Sequence, residues 1–209
     1  MKIFVNLLIL SLIISGCAST SVEVDPGASQ VQPTEAKKLS PYTGPKTVVA
    51  ILPLGLSERA AKRYPHLLQK SVGMGIHHIV LESLFDTNRF KFVEENPEMV
   101  KDIMNRQWMS ASGFVSQNEA VEYGKMLGAE KIIYGEVYEY SEGGEQISGF
   151  KSRKNFIVTV GVQIVCTDIQ TGEKVALGTS SANAASYSEA SKLAISNAIY
   201  TLISRLEKK

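Results

Sequence analysis

The chain has 209 residues, of which 44% are hydrophobic and 21% are charged, and its formal net charge at pH 7 is +1. This length and composition predict one globular domain with an additional segment at one end. A charge balance so close to neutral argues against a nucleic-acid binder, which needs a strongly basic face for the phosphate backbone. The two cysteines, Cys17 and Cys166, are too few for a framework of disulfides.

The first sixteen residues have the pattern of a targeting segment. Met1 and Lys2 form a short charged start, and the apolar run from Ile3 to Ile14 is too short for a comfortable membrane span. The small residues 15–16 then precede Cys17. This order resembles the lipobox of bacterial lipoprotein signal peptides. The alternative is an ordinary signal peptide whose cleavage site falls near a cysteine.

The lipobox resemblance implies that residues 1–16 are removed as a signal peptide and that Cys17 carries lipid. Several acyl chains, at roughly 0.8 kcal/mol per buried methylene, would hold the protein on a membrane. Ala18 after the cysteine resembles the class of lipoproteins that is sorted to the outer membrane. We therefore expect a lipid-anchored protein of the outer membrane that faces the periplasm.

Residues 17–45 are predicted to form a flexible tether. This segment is rich in Ser, Thr, Val, Pro, Gly and Gln, and its apolar residues follow neither a helical nor a strand period. A flexible chain of this length has a mean span on the order of 30 Å, so it could hold the folded part clear of the lipid. An alternative is that part of this arm wraps a neighbouring subunit.

The first half of the domain at residues 46–209 alternates predicted strands and helices. The apolar run Lys46–Leu54 predicts a central strand that is covered on both faces. Apolar residues at three- and four-residue steps predict a long helix over Leu68–Leu84, in which Gly73 and Gly75 suggest a close neighbour or a kink. The alternation in Arg89–Glu94 predicts a short strand near a sheet edge, and Pro97 opens a helix that we expect to end at Gln107.

The next predicted helix leads directly into a strand. Ser116 and Glu119 have the spacing of a capping box, and the helix that they begin should stop at Leu127 and Gly128. Lys131–Tyr140 then predicts a strand rich in β-branched and aromatic side chains.

The C-terminal part predicts two more strands and a final helix. Asn155–Asp168 alternates between apolar and other residues over most of its length, which places Cys166 on the core face, and Val175–Ser180 should return antiparallel to it. We expect Ser188 to cap the last helix. The predicted fold is a single α+β sandwich, with one mixed sheet that ends in an antiparallel meander and helices packed on it.

The segments KTVVAILPL, RFKFVE, LGAEKIIYGEV and VTVGVQIVCTDIQTGEKV, together with the lipobox, resemble the CsgG family of curli secretion lipoproteins. The wider group with this core includes LpoB-like activators of cell-wall synthases and PelC-like ring lipoproteins. The resemblance implies a periplasmic α+β domain over residues 46–209 that assembles as a ring or docks onto an envelope machine. Expected partners are therefore the membrane, further copies of the chain and other envelope proteins.

The sequence departs from the channel-forming pattern of that family. A channel of this type takes its transmembrane part from two β-hairpins per subunit, and a membrane strand needs about 9–11 residues with one apolar face. Residues 141–154 contain only Ile147 and Phe150 as large apolar residues, and the segment before Ser188 is small and polar. We therefore expect the soluble core of the family without its transmembrane hairpins.

A first group of candidate contact residues is apolar. Trp108, Met109 and Phe114 lie in a predicted Ser/Gly-rich loop. Large apolar side chains in such a loop either fill the core or contact another subunit.

A second group of candidate contact residues is basic. Lys151, Arg153 and Lys154 lie near the tip of the predicted hairpin between the first and second strands of the meander. They would suit lipid headgroups, an acidic polysaccharide or a protein partner, and a solvated hairpin tip without a ligand is the alternative.

The sequence contains no motif of a catalytic or metal centre. It has no nucleophile elbow, no phosphate-binding loop and no paired Cys/His spacing, and the adjacent His77 and His78 would point about 100° apart on a helix. We predict that the protein is not an enzyme and needs neither a metal nor a cofactor.

Three functions remain open at this point. The first is a ring-forming or scaffold component of an envelope secretion or surface-appendage apparatus. The second is a tethered activator of a cell-wall synthase, and the third is a subunit of a pore-forming secretion channel.

Overall fold

The computed structural model describes residues 35–65, 72–109, 115–142 and 157–208. The helices in these ranges are α1 (Glu58–Arg63), α2 (Val72–Phe85), α3 (Pro97–Met109), α4 (Gln117–Met126) and α5 (Tyr187–Leu206). The strands are β1 (Thr47–Ile51), β2 (Gly55–Leu56), β3 (Phe90–Phe92), β4 (Lys131–Glu142), β5 (Val158–Asp168) and β6 (Lys174–Ala184).

These strands form one mixed sheet in the order β3-β1-β4-β5-β6, with β2 paired to β4. β1 is parallel to both β3 and β4, whereas β4, β5 and β6 form an antiparallel meander. Helices pack on the sheet, so the predicted α+β fold with a C-terminal meander is confirmed. β3 lies at one edge of the sheet, as its short alternating pattern predicted, and β6 lies at the other edge.

Two apolar clusters hold the helices to opposite faces of the sheet. The cluster under α2 and α5, here called the α2/α5 core, includes Val49, Val80, Leu84, Val162, Ile195 and Leu202. The cluster under α3 and α4, here called the α3/α4 core, includes Ala50, Leu52, Ile103, Ala120, Ile132 and Tyr134. Successive residues from Val49 to Leu52 therefore enter different cores, which explains why this run is entirely apolar.

The predicted helix starts and stops agree with the structure at α4. Ser116 Oγ accepts a hydrogen bond from the Glu119 backbone N–H at 3.3 Å, and the Glu119 carboxylate accepts one from the Ser116 N–H at 3.0 Å. This reciprocal capping box satisfies two donors that an isolated helix end would leave unpaired. The helix ends at Met126 with Leu127 as its C-cap, and Gly128 follows with a φ of +69°, a value that favours glycine.

Helix α1 is missing from the sequence prediction. Ser57 caps it by accepting the Ala60 N–H at 3.1 Å, and Ala60 and Ala61 are buried. A helix of six residues is too short to display the apolar period by which longer helices are detected.

The prediction for α3 was wrong at its C-terminal end. The helix continues to Met109, so Trp108 and Met109 belong to its last turn and not to a loop. Serine and glycine follow closely in the sequence, and their loop-forming tendency led to an early predicted end.

The predicted cap of α5 was also wrong. Ser186, not Ser188, caps the helix, because its side chain accepts a hydrogen bond from the Glu189 N–H at 3.3 Å. Ser186 and Glu189 have the three-residue spacing of a capping sequence, and Ser188 lies inside the first turn.

Candidate interaction surfaces

Most of the residues predicted to carry lipid or to contact partners lie outside the described part of the chain. Trp108 and Met109 lie at the end of α3, but their side chains are outside the described part of the chain. The predicted lipidation and contact residues that lie wholly outside the described ranges are Cys17, Phe114, Lys151, Arg153 and Lys154. Lipidation and the contact roles of both groups therefore stay predictions.

Residues 35–45, the described end of the predicted tether, lie against the folded domain, and we call them the arm. Asn197 of α5 is only 4% exposed, and its Oδ1 accepts the Lys37 backbone N–H at 2.8 Å. Its Nδ2 donates to the Glu35 carbonyl at 3.0 Å. The Asn197 amide thus both accepts from and donates to the backbone of the arm, as the peptide groups of an adjacent strand would. This part of the arm is docked, which differs from the expectation of a tether without packing contacts.

Arg89 forms a second contact between the arm and the domain. The side chain is 7% exposed, and its Nε donates to Glu207 Oε1 at 2.7 Å. Its Nη1 and Nη2 donate to the backbone carbonyls of Thr87 at 3.0 Å and Ser40 at 3.2 Å. The guanidinium also lies 4.8 Å from the centre of the Tyr42 ring. A planar guanidinium with several donors suits this combination of ion pair, carbonyl contacts and ring stacking.

The arm covers a groove of about 630 Å³ between the end of α2 and the side of α5. Polar side chains such as Asp86, Asn88 and Ser196 line this groove. Leu39 supplies an apolar contact, because it packs on the α2/α5 core. The arm is therefore held by hydrogen bonds to its backbone, by the contacts of Arg89 and by the apolar packing of Leu39.

The turn between β5 and β6 is organised by Asp168. Its Oδ1 accepts the backbone N–H groups of Gln170 at 3.0 Å and Thr171 at 3.1 Å, and its Oδ2 accepts from Lys131 Nζ at 2.9 Å. The hydrogen bond from Lys131 and those from the turn backbone hold the pKa of the Asp168 carboxyl below its usual range. Cys166, two residues earlier, is buried in the α2/α5 core, and burial raises the pKa of its thiol to about 12.

On the side of the sheet that carries α3 and α4, the meander strands extend beyond the α3/α4 core. This part of the sheet surface is polar, and we call it the open face. Its residues, assigned by alternation from buried neighbours, are Glu136, Tyr138, Glu139, Thr159, Gln163, Thr179, Ser181 and Asn183. The Tyr138 ring lies over Gly161, where a Cβ atom would approach the ring to 2.5 Å, and its hydroxyl donates to the Ser180 carbonyl at 3.2 Å. Burial raises the pKa of the Glu136 carboxyl.

The two sheet edges differ in length and in chemistry. β3 has three residues, and the Phe92 ring stacks on Phe85 with a centroid separation of 6.2 Å. Phe85 is 70% exposed, which is unusual for a large apolar side chain beside a sheet edge. β6 has eleven residues, and Arg205 of α5 donates to the Leu177 carbonyl on the side of β6 away from β5.

His77 links α2 to the segment that follows β3. The side chain is 1% exposed, and its Nε2 lies 3.1 Å from Glu95 Oε2. His78 is exposed, with its ring centre 6.2 Å from that of His77. This hydrogen-bonded contact joins α2 to the segment after β3 and does not bring the two histidines together as ligands.

The described residues offer neither a cluster of metal ligands nor a membrane-spanning helix. They contain no group of three or more His, Cys, Asp or Glu side chains that could hold a metal ion. None of the helices in those ranges combines the length and the hydrophobicity that a bilayer crossing requires.

The described residues thus form an α+β domain. Its main surface features are the docked arm, the open face and the two sheet edges. The chain belongs to the CsgG family, because the model of the curli production assembly/transport component CsgG matches residues 30–206. The family prediction from the sequence is confirmed. The match includes the docked arm as well as the sheet and helices.

No curated protein matches the chain. Several solved structures are similar to it at low identity. A variant of the PelC dodecamer from Paraburkholderia phytofirmans is 15% identical, with a TM-score of 0.45 over 82% of this chain and 95% of that chain. Hypothetical protein CT253 from Chlamydia trachomatis is 16% identical, with a TM-score of 0.46 over 78% and 96% of the two chains. The LpoB C-terminal domain from Escherichia coli is 12% identical, with a TM-score of 0.36 over 66% and 82%.

The arm contacts of Asn197 and Arg89 were not predicted from the sequence. Asn197 falls within the apolar stripe of the last helix, and a polar residue at such a position signals a buried partner. The signal for Arg89 is weaker, because an arginine at the start of a strand is ordinary on a solvated edge.

Proposed function

We propose that this protein is an outer-membrane lipoprotein that forms a ring or scaffold within an envelope secretion or surface-appendage apparatus. In this proposal Cys17 carries the lipid, residues 18–34 span the distance from the membrane, and the folded domain works in the periplasm by contact with other proteins. It performs no catalysis and lacks transmembrane hairpins of its own.

The observation that carries the proposal is the CsgG family match over residues 30–206. The family description concerns assembly and transport, which places the chain with envelope assembly components. The ring form follows from the resemblance to the CsgG and PelC-like group, and the anchor follows from the lipobox at Cys17.

The geometry of the described residues supports a role based on contact. The open face and both sheet edges present backbone and polar groups to a macromolecule. The arm is fixed by Asn197 and Arg89, so the chain that leads to the anchor departs from a defined place on the domain. A protein that must present one face to its neighbours benefits from such a fixed departure point.

The anchor is tested by fractionating cells that express the full chain. We expect wild-type protein in outer-membrane fractions with mass added at Cys17, and Cys17→Ala as unprocessed or soluble protein. Ala18→Asp is the matched control, because the lipid should remain while sorting changes to the inner membrane. Wild-type protein that is soluble and lacks lipid would contradict the proposal.

The assembly is tested by native mass measurement of the detergent-extracted protein. A discrete oligomer of the full chain is expected. A monomer that captures a cell-wall synthase would favour the activator hypothesis, and stable single-channel conductance in planar bilayers would favour the pore-forming one.

A further inference from the structure

We propose that copies of this chain join through their sheets, with the β6 edge of one copy paired in parallel to the β3 edge of the next. This inference rests on the proposed homo-oligomer and names the surfaces that build it. It follows from the protection of the edges, the direction of the strands and the position of the exposed aromatic residues.

Among the described residues, the β6 edge beyond Leu177, whose carbonyl Arg205 binds, lacks the devices by which proteins protect a long edge strand. Natural edges are usually short, or carry Lys, Pro or a bulge that prevents pairing with another chain. β6 is eleven residues long, and from Val175 to Ala184 it contains no charged residue and no proline. Its register against β5 is continuous from Ala176 to Ala184, so no bulge interrupts that part of the edge.

The backbone groups of alternate β6 residues point away from β5. The Arg205 guanidinium reaches the Leu177 carbonyl, which places Leu177 among the residues whose backbone faces outward. Because backbone direction alternates along a strand, Thr179 and Ser181 face the same way. The Thr179 and Ser181 side chains are exposed. Among the strands of the described residues, β5 alone pairs with β6, so one side of β6 has no strand partner there. This edge therefore offers donors and acceptors to an added strand.

The β3 edge offers the complementary apolar contact. Phe85 and Phe92 stack beside this edge, and Phe85 is 70% exposed. Aromatic side chains that are exposed beside a free backbone edge are typical anchors of a protein contact. β3 alone gives only a few backbone hydrogen bonds, so the aromatic pair must supply much of the contact area.

The strand directions make this arrangement compatible with a ring. β3 and β4 run parallel to β1, β5 runs opposite, and β6 returns to the direction of β3. A cyclic assembly whose axis follows the strands keeps all directions, so β6 meets the next β3 in parallel. Such a head-to-tail contact closes into a ring when the rotation between copies divides a full turn.

The faces of the two sheets also match across the proposed contact. Gly178 faces α5, so its neighbour Thr179 lies on the opposite face of the sheet. Phe90 and Phe92 pack on the α2/α5 core, so Lys91 between them lies on the same face as Thr179. A continuous sheet would therefore bring Lys91 of one copy near Thr179 or Ser181 of the next.

Cysteine cross-linking of the full chain tests this contact. The double variants Lys91→Cys with Thr179→Cys, and Lys91→Cys with Ser181→Cys, are oxidised at a concentration where native mass measurement shows the assembly. Within one copy β3 and β6 are four strand spacings apart, roughly 19 Å, which is too far for a disulfide. Cys166 is buried and does not compete. We expect a ladder of covalent oligomers from at least one double variant and none from the single variants.

The alternatives give different results. A two-fold contact between two β6 strands would give a covalent dimer from Thr179→Cys or Ser181→Cys alone, and would overturn the proposal. An oligomer in native mass measurement with no cross-linked product would also overturn it, while leaving the ring itself intact. A monomer in native mass measurement would remove both this inference and the ring.

Two substitutions test the chemistry of the edges. Ser181→Lys places a charge on the unprotected edge, and Phe85→Ser removes the exposed ring. Each should raise the protein concentration at half-assembly by at least tenfold. The matched controls are Ser188→Lys in the exposed first turn of α5 and Met126→Ser, since Met126 is 76% exposed on α4. Equal effects of variants and controls would contradict the proposed contact.

Discussion

The parallel and antiparallel halves of the sheet differ in how many helical layers cover them. Around β1 both faces are buried, and its successive residues Val49 and Ala50 are fully inaccessible to solvent. In the meander, α5 covers one face of β5 and β6, and beyond the α3/α4 core the other face carries carboxylate, amide and hydroxyl groups. The covered half specifies the fold, whereas the half-covered meander leaves surface for contacts with other molecules.

The difference teaches where substitutions should have structural effects and where they should affect assembly. A buried strand has little space for an added atom, because protein interiors are close-packed. Substitutions on the open face should change the stability of the fold only slightly, and mainly through a change in charge. Predictions at Gly178, Asn197, Asp168 and Glu136 test this division in order of decreasing expected effect.

The largest effect is expected where α5 meets β6. A Cβ atom on Gly178 would lie 1.9 Å from the Ala198 carbonyl oxygen, so Gly178→Ala must push the helix away from the sheet. We expect a loss of about 3 kcal/mol in the free energy of unfolding, measured by urea denaturation.

Gly75→Ala is the matched control for this substitution. A Cβ atom at Gly75 would meet nothing within 4 Å, so the close neighbour that the sequence suggested there is absent. Alanine in this exposed helical position should stabilise the protein by about 0.5–1 kcal/mol. If Gly178→Ala were no more destabilising than Gly75→Ala, the packing of α5 on β6 would be looser than the structure indicates.

A smaller and more local effect is expected for Asn197→Ala. The substitution removes both hydrogen bonds to the arm backbone, at an expected cost of about 1–3 kcal/mol. Amide hydrogen exchange should accelerate at residues 35–42 while the sheet remains protected. Lys192→Ala, at an exposed position of α5 outside the groove lining, is the control and should leave the exchange unchanged. Loss of protection throughout the domain would mean that Asn197 supports the core and not specifically the arm.

The sequence predicted the elements that local patterns specify. The apolar run of β1, the alternation of β5 and the capping box at Ser116 all correspond to the structure, because each depends on residues close in the chain. The docking of the arm could not be predicted. It depends on Asn197, which lies 160 residues from Lys37, and the bonds go to backbone groups that carry no side-chain signature. The sheet edges likewise follow from the strand order, which no local pattern fixes.

Asp168→Asn should change the acid dependence of stability. Because Lys131 and the turn backbone lower the folded-state pKa of Asp168, its contribution is present above the unfolded pKa and is lost as pH falls through the folded value. We expect the variant to lose about 1 kcal/mol at pH 7 and to depend less on pH below the ordinary range of an aspartate. Urea denaturation at several pH values between 7 and 3 measures this. An unchanged acid profile would mean that the ion pair with Lys131 does not form in solution.

Glu136→Gln on the open face should act in the opposite direction. Burial raises the folded-state pKa of Glu136, so the charged form costs stability at neutral pH, and the protein should gain from protonation as pH falls through that value. The amide removes this charge, so we expect a gain of about 0.5 kcal/mol at pH 7 that disappears in acid. The same denaturation series measures it, with Glu139→Gln on the same face as the control. If Glu136→Gln instead weakened assembly without stabilising the monomer, the carboxylate would belong to a contact between copies. The interface would then include the open face as well as the β6 edge.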